Sequence, residues 1–375
     1  MAARDWHYPR RPFTGDTFVA LTQGPVAAMS LFGPRRTGKT EFLVHDLGRH
    51  AADRYGHRVL YASFWQSSVA PLSLLIYACS EALRPRGYAE QVADWLRHPP
   101  VKVRIGPARD GPGAVELDLS EPRRERIADD LLLLDTLLGR MSDARKPSIL
   151  LLDEVQELAA APGGPEIMAG LRAALDRRRD GLKTVFTGSS QVGLKRMFSS
   201  RDAPLYRFAA PLSLPPLGPE FVDHQLGVFH RVFQRRIDRP TALDFFRRFG
   251  GNPMLFQRWL MTLGQYRDLP EAEAAAQTTD ALARDLEFDR RWLELQPHHR
   301  AMARMLAEGG HDPFGSSGAA RFEALTGETA PIPQTRQSYV RTLARRGIVD
   351  RWDKEWRLSD PLFEAWVRDR PEEEI

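Results

Sequence analysis

The sequence predicts an α/β fold, a doubly wound parallel sheet, followed by a helical section and a small C-terminal domain. The chain from Ala27 to about Leu217 alternates strand and helix signals, as such a sheet requires. Its strongest apolar runs are continuous, which is typical of strands buried on both faces of a parallel sheet. Strand signals stop at Pro219, so the section that follows is expected to be helical.

The first predicted strand, Ala27 to Phe32, leads into a segment with the pattern G-x-x-x-x-G-K-T. Glycines let backbone N–H groups curl around a phosphate, and the start of the next helix adds a positive dipole. Lys39 is expected to reach the β- and γ-phosphates, and the Thr40 hydroxyl is expected to bind Mg²⁺. A glycine-rich turn that matches by chance is the alternative, and the strand–loop–helix context disfavours it. The predicted nucleotide-binding residues here are Gly33, Pro34, Arg35, Arg36, Thr37, Gly38, Lys39, Thr40 and Glu41.

A second buried run, starting at Ser148, ends in two acids, Asp153 and Glu154. Acids at the carboxyl end of a parallel strand lie at the crevice where ligands bind. Asp153 is expected to hold Mg²⁺ directly or through water, and Glu154 to polarise an attacking water. Alone, the run would predict only a solvated acidic strand end. In order after the phosphate loop, it predicts an ATPase with Lys39 and Glu154 as catalytic residues.

The next predicted strand, from Lys183, ends in Ser189 and Ser190. A polar side chain there would lie near the γ-phosphate, so Ser190 is a third candidate catalytic residue. Serine is equally suited to cap the helix that follows, and the sequence leaves both roles open.

An irregular stretch at about 98–120 interrupts the alternation of strands and helices. Val101 to Ile105 and Ala114 to Leu119 alternate apolar and polar residues, which predicts a hairpin insertion. The hairpin is either a lid or contact surface, or an insertion without a role.

Two helical stretches, Phe221 to Ile237 and Thr241 to Leu263, follow the sheet, and the second contains Gly250-Gly251-Asn252-Pro253. This tetrad breaks the helix and would orient the next one over the nucleotide. An ordinary turn between helices is the alternative.

The last section has the pattern of a winged helix-turn-helix. Helices are expected at His298 to Ala307, Ala319 to Leu325 and Pro333 to Arg346, and a hairpin after Gly347 forms the wing. The third helix carries arginines suited to phosphate contacts in duplex DNA, namely Arg336, Arg341 and Arg345. A solvated face or a protein-docking surface explains them as well.

Composition sets broad limits. Hydrophobic residues make up 42% and charged residues 27% of the 375 residues, with a net charge of +4, values of a soluble globular chain rather than a polycation. The single cysteine, Cys79, lies in an apolar run and is expected in the core, and one cysteine forms no disulfide within the chain. No apolar run is long enough to span a bilayer, and the N-terminus lacks the apolar segment of a signal peptide. A cytoplasmic protein without a membrane partner is expected.

The motifs, in this order and with the terminal segment Leu358-Ser359-Asp360-Pro361, resemble those of the archaeal-type ATPases in the AAA+/STAND group of P-loop NTPases, relatives of origin-recognition ATPases. The resemblance implies an ASCE/AAA+-like core at 1–218, a helical lid at 219–288 and a winged-helix domain at 289–375. It also implies that Pro253 contacts the nucleotide from the lid. ATP and Mg²⁺ are the implied cofactors, and a molecular switch that is often oligomeric with ATP is the implied activity.

The chain departs from the family pattern at two places. Phe13-Thr14-Gly15-Asp16 lacks the arginine and glutamate of F-x-G-R-x-x-E, and Leu205-Tyr206-Arg207-Phe208 stands where the family has Leu-Tyr-Gly-Arg. No arginine finger is therefore assigned.

Three classes of function remain open. The first is an ATP-dependent switch that engages double-stranded DNA through the winged helix. The second is a STAND-type sensor in signalling or defence that acts through protein contacts without DNA. The third, a P-loop kinase, is disfavoured because Glu154 and the tail have no role in it.

Overall fold

Five parallel strands form the central sheet in the computed structural model of the chain. The structure describes residues 3–32, 36–66, 70–84, 123–188, 197–198, 203–310, 312–352 and 355–375. The sheet has the order β2-β3-β4-β1-β5. Its strands are β1 (Ala28–Phe32), β2 (Val59–Ser63), β3 (Ser148–Asp153), β4 (Leu182–Gly188) and β5 (Ala210–Ser213).

The sheet is covered on both faces. Every residue of β2, β3 and β4 is buried, and side chains alternate between faces, so both faces must be packed. This confirms the prediction of a doubly wound parallel sheet. Strand β4 separates β1 from β3, with Phe32 opposite Gly188 and Leu152 opposite Phe186. The carboxyl ends of β1 and β3 therefore lie at the same edge, one strand apart.

Helices surround the sheet. Helix α2 starts at the phosphate loop and continues in π-helical turns over Phe42–Gly48 and His50–Arg54. Helix α4 packs between α3 and α6. The helices of this region are α1 (Arg11–Gln23), α2 (Lys39–Glu41), α3 (Pro71–Ala82), α4 (Arg123–Met141), α5 (Gln156–Ala160) and α6 (Gly164–Asp176).

The next section is a bundle with its own aromatic core. Its helices are α7 (Pro219–Phe233), α8 (Arg239–Arg248), α9 (Pro253–Gln265) and α10 (Glu271–Asp285). Phe221, Phe246, Phe256 and Trp259 form its centre, with ring centroids 4.8–5.9 Å from their neighbours, including Phe245. We call this bundle the lid.

The tail is a second small unit, built from helices and one hairpin. Its elements are α11 (Phe288–Leu293), α12 (Pro297–Glu308), α13 (Ser316–Thr326), α14 (Pro333–Arg345), β6 (Val349–Trp352), β7 (Glu355–Leu358) and α15 (Pro361–Arg368). Strands β6 and β7 pair antiparallel. Leu255 and Leu282 of the lid belong to the tail's hydrophobic cluster, so the two units share a core.

Helix starts in the lid and tail follow simple local chemistry. Most of these helices begin on or beside a proline, whose fixed φ suits the first helical turn. Asp238, Asn252 and Asp360 cap α8, α9 and α15 by accepting hydrogen bonds from backbone N–H groups.

Some sequence predictions lie outside the described residues, namely Gly33, Pro34, Arg35, Ser189, Ser190 and the hairpin at about 98–120. Helices α1, α4, α5, α10, α11 and α15 were not predicted from the sequence. Within the described ranges, none of the helices combines the length and the apolar character that crossing a bilayer requires.

Candidate nucleotide site

A cavity of about 690 Å³ opens at the carboxyl edge of the sheet. Gly38, Lys39 and Thr40 of the phosphate loop line it together with Glu154. The N-terminal segment, which we define as residues 5–10, forms a second wall. The lid forms a third wall through Pro253, Met254 and Gln257. Residues that are far apart in the sequence thus line the same cavity.

The described part of the phosphate loop has a left-handed backbone at two positions. Gly38 has φ 90° and directly precedes α2, and Arg36 has φ 65°. A side chain at Gly38 would be strained, which explains the glycine there. Lys39 is 5% exposed and lines the cavity, so its ammonium group is shielded from bulk water. This arrangement favours an anionic ligand.

Asp153 lies beneath the phosphate loop and is 2% exposed. Its carboxylate accepts hydrogen bonds from Thr40 Oγ1 at 2.7 Å, from the Tyr61 hydroxyl at 3.1 Å and from the Thr187 hydroxyl. Burial raises the pKa of Asp153, and these hydrogen bonds oppose the shift. A divalent cation would favour the ionised form.

The residues at this point fit Mg²⁺, which prefers oxygen ligands and commonly takes one or two from the protein. The Thr40 hydroxyl and the Asp153 carboxylate are adjacent and both supply oxygen. In the described part of the chain, no group of three or more His, Cys, Asp or Glu could hold a metal ion. Ligands from substrate phosphates and water would therefore have to complete any magnesium shell.

Glu154 follows Asp153 but leaves the strand in a left-handed conformation, with φ 55°. Such strain in a non-glycine residue clusters at functional sites. The residue is 9% exposed and lines the cavity, and its carboxylate accepts a hydrogen bond from the Gln156 amide. Gln156 therefore helps to orient the carboxylate at the cavity wall.

The N-terminal segment is fastened to the phosphate-loop helix. His7 Nε2 lies 2.7 Å from Asp46 Oδ1, and His7 Nδ1 lies 3.4 Å from Glu41 Oε2. Burial opposes protonation of His7, but these two carboxylates outweigh it and raise the pKa of His7 to about 9. The Arg10 guanidinium donates to Thr37 O at 3.3 Å and to Pro215 O. Arg10 thus places a cation beside the loop, whereas the carboxylates of Asp46 and Glu41 offset the charge of His7.

The lid reaches the cavity through the Gly-Gly-Asn-Pro tetrad. Gly250 and Gly251 have φ 63° and 69°, which ends α8 and turns the chain. Asn252 then caps α9, accepting from Met254 N at 3.0 Å and Leu255 N at 3.2 Å. Pro253, the first residue of α9, lines the cavity. The tetrad therefore brings α9 to the cavity by its N-terminal end.

The lid also holds the N-terminal segment. Gln225 Nε2 and Gln257 Nε2 both donate to Trp6 O, at 2.8 and 3.2 Å. The segment consequently connects the lid to the phosphate-loop helix.

The tail arginines fall into two groups, and one sequence prediction needs correction. Arg336 is 2% exposed, and its guanidinium donates to the carbonyls of Pro313, Phe314 and Gly315. It holds the turn before α13 and is not available to DNA, because burial and these three acceptors occupy it. Arg341 and Arg345 are exposed on α14.

Several residues of the site were missed by sequence analysis. His7, Arg10 and Asp46 form the wall beside the loop, and Tyr61 and Thr187 hold Asp153. Thr187 carried a signal, because it is a polar residue at the end of a buried strand. His7 and Arg10 carried none, since they precede the first predicted element.

Comparisons with known proteins support the fold. No protein-family model matches the chain, and no curated protein matches it. A Walker-type ATPase of Pyrococcus abyssi is 18% identical, with 96% of this chain and 95% of that chain covered and a TM-score of 0.62. The Aeropyrum pernix ORC2 protein in an ADP form is 15% identical, with 97% and 98% covered and a TM-score of 0.55. The same protein in ADPNP–ADP complexes is 16% identical, with 98% and 96% covered and a TM-score of 0.58. This chain therefore has the fold of these archaeal ATPases, as its motifs predicted.

Proposed function

We propose that this chain is a Mg²⁺-dependent ATPase that acts as a molecular switch, in which the nucleotide state controls assembly and the engagement of DNA or a protein partner by the winged-helix tail. One observation carries the proposal. Lys39, Thr40, Glu154 and Pro253 line a single cavity although they come from three separate parts of the chain. The ADP and ADPNP forms of the ORC2 protein, which shares the fold, support an adenine nucleotide as ligand.

The phosphate end of the cavity would bind and orient the triphosphate. Lys39 would neutralise charge on the β- and γ-phosphates, and backbone N–H groups after Gly38 would donate to phosphate oxygens. Thr40 and Asp153 would hold Mg²⁺, which when bound neutralises charge that develops on the transferred phosphoryl group. The buried setting strengthens each of these interactions.

Glu154 would act on the attacking water. Its carboxylate would orient the water and accept a proton as the water oxygen bonds to the γ-phosphorus. The bond from the γ-phosphorus to the bridging oxygen breaks, and its electron pair stays on ADP. The hydrogen bond from Gln156 would keep the carboxylate aimed into the cavity.

The lid supports a switch because it contributes a wall of the same cavity. A ligand that contacts both Lys39 and Pro253 binds better when these walls are close together. Moving a conformer ratio from 1:99 to 99:1 requires about 5.5 kcal/mol of differential binding. Phosphate and lid contacts made only in the closed state are suited to supply it.

The first test is ATP turnover by the purified chain, with and without duplex DNA, at low and high salt. Glu154→Gln is the blank, because it should bind ATP without hydrolysing it. Turnover by the wild type that disappears in this variant supports the ATPase assignment. Equal turnover in both proteins would remove Glu154 from the mechanism.

The proposed binding of DNA depends on exposed arginines in the tail. Replacing both Arg341 and Arg345 by alanine should weaken DNA binding. The slope of log K against log salt concentration should fall by about two, since each arginine would contact one phosphate. The matched control is Arg247→Ala with Arg248→Ala, which removes the same charge from exposed positions of the lid. Equal losses in both double variants would indicate non-specific attraction.

A sensor that acts through protein contacts is the second candidate. The burial of Arg336 favours it, because α14 then offers fewer cations to a DNA groove than its sequence suggests. Turnover that is indifferent to DNA at both salt concentrations would favour this candidate over the DNA switch.

A further inference from the structure

The tail touches the phosphate loop directly. The Arg36 guanidinium Nη1 donates to Asp360 Oδ2 at 2.6 Å, across 324 positions of sequence. The Asp360 side chain is 5% exposed and the Arg36 side chain 23% exposed, so the ion pair is largely shielded from water. Shielded pairs are screened little by salt. Arg291 of the tail lies 3.9 Å from the same Asp360 oxygen, so Arg36 makes the shorter of two contacts with this carboxylate.

Asp360 is a firm anchor. Its second oxygen, Oδ1, accepts from Leu362 N at 3.1 Å and so caps α15. Leu362 and Phe363, the next residues of that helix, are buried in the tail core. Ser359 N donates to Ile348 O at 2.9 Å, which ties the preceding residue to the start of the hairpin. The carboxylate therefore has little freedom to follow a moving partner.

Arg36 has a backbone conformation that contacts elsewhere in the protein must stabilise. Its backbone is left-handed, a conformation that persists in a non-glycine residue only where the surroundings hold it. The next residue, Thr37, accepts a hydrogen bond from Arg10 through its carbonyl, so the loop is held from the N-terminal segment as well. Arg36 precedes Gly38 and Lys39 by only two and three positions. A shift at Arg36 therefore reaches the groups that would meet the phosphates.

We infer that Asp360 is a positioning residue of the nucleotide site, which acts through Arg36 to hold the phosphate loop in its binding shape. The inference rests on the proposed function and adds a tail residue to the machinery that serves it. Coupling between two sites is reciprocal in binding free energy, so a nucleotide on the loop also holds the tail against it.

A double-mutant cycle tests the pair. Dissociation constants for Mg-ATP are measured by calorimetry for the wild type, Arg36→Gln, Asp360→Asn and the double variant. Asparagine is as good a helix cap as aspartate, so Asp360→Asn removes the charge and keeps α15 capped. Each single change should weaken binding about tenfold. The double variant should also be about tenfold weaker, rather than a hundredfold, because both changes remove the same contact.

The control is Asp238→Asn, a cap of α8 whose carboxylate accepts from Thr241 N at 3.1 Å and does not contact the loop. It should leave the affinity for Mg-ATP unchanged. A thermal melt without nucleotide shows that each variant is folded. A purely structural role for Asp360 would lower the melting temperature and leave the affinity of the folded protein unchanged.

The outcomes separate the inference from the proposed function. Unchanged affinity in Asp360→Asn, or fully additive losses in the double variant, would overturn the inference if Lys39→Ala fails to bind. Normal binding of Mg-ATP by Lys39→Ala would overturn the proposed function, and the inference with it.

Discussion

Asp153 in the sheet and Glu308 in the tail are a buried and a partly buried carboxylate with opposite surroundings. Asp153 is held by the hydroxyls of Thr40, Tyr61 and Thr187, and burial raises its pKa. Glu308 lies 2.6 Å from both Arg304 and Arg321. The hydrogen bond from Arg321, helped by that from Arg304, lowers the pKa of Glu308 to about 2.

The difference separates the proposed magnesium ligand from an acid that links two helices. Neutral donors satisfy the hydrogen bonds of Asp153 but leave its charge uncompensated in a buried place, which favours an incoming cation. Two guanidinium groups already neutralise Glu308, so it is suited to joining α12 to α13. Burial points the same way, because Asp153 is 2% exposed and the Glu308 side chain is 18% exposed.

The largest expected effect is on turnover in Asp153→Asn. The amide keeps the shape of the side chain but lacks the charge that attracts a divalent cation, so ATP hydrolysis should fall roughly 100-fold or more. The free energy of unfolding should stay the same or rise, because a buried charge is removed. Phosphate release and thermal melting measure the two quantities. Asp135→Asn, at ion pairs with Arg177 and Arg178 away from the cavity, is the control for loss of one carboxylate charge. Turnover within tenfold of the wild type would contradict the assignment of Asp153.

The opposite result is expected for Glu308→Gln. Losing the charge leaves two arginines without their shared partner, and the free energy of unfolding should fall by about 2 kcal/mol. Turnover per folded molecule should not change, because Glu308 does not line the nucleotide cavity. Urea unfolding of the wild type and the variant measures the first quantity. A stability loss below about 0.5 kcal/mol would show that the comparison between the two acids is mistaken.

The dependence of stability on pH below neutrality tests the same difference between the two acids. Glu308 has a folded-state pKa of about 2, below its ordinary value of 4.5. Its contribution to stability is therefore complete above pH 4.5 and is lost as the pH falls through 2. Asp153 has a raised pKa, so its protonation on acidification removes a buried charge and should favour the folded state instead. The stability difference between wild type and Glu308→Gln should accordingly shrink on acidification, as urea unfolding at several pH values would show.

Asp46 is an intermediate case, because its partner His7 is a cation that pH can remove. The pKa of His7 is raised from 6.5 to about 9, so the contribution of the pair is complete below pH 6.5 and is lost as the pH rises through 9. His7→Gln should therefore cost about 1 kcal/mol at pH 6 and almost nothing at pH 10. Chemical unfolding of both proteins at the two pH values measures this difference. A cost that is independent of pH would show that His7 is neutral in the folded protein.

Much of the fold could be predicted because it depends on local patterns. The apolar run before Asp153 has no polar face, so it had to be a strand covered on both sides. The Gly-Gly-Asn-Pro tetrad predicted the break between α8 and α9 for the same local reason. Helix α4 was missed because its apolar residues are interrupted by charges and its mean hydropathy is low.

The site was predictable only where a motif encodes it. Lys39, Thr40 and Asp153 follow from spacing and strand position. The partners of Asp153 required the strand order, since Tyr61 and Thr187 flank β3 only because β2 and β4 are its neighbours. Arg336 shows the reverse error: its position on a helix suggested exposure, and tertiary packing buried it.

The contact between Arg36 and Asp360 also has a consequence for the order of assembly. A chain that emerges from its N-terminus exposes the phosphate loop early, yet the acid that anchors it is made 324 residues later. Contacts of such long sequence separation form slowly, since a large loop must close before they contribute. If Asp360 positions the loop, the loop reaches its anchored form only after residue 360 has been synthesised and the tail has folded, and nucleotide binding would be weaker until then.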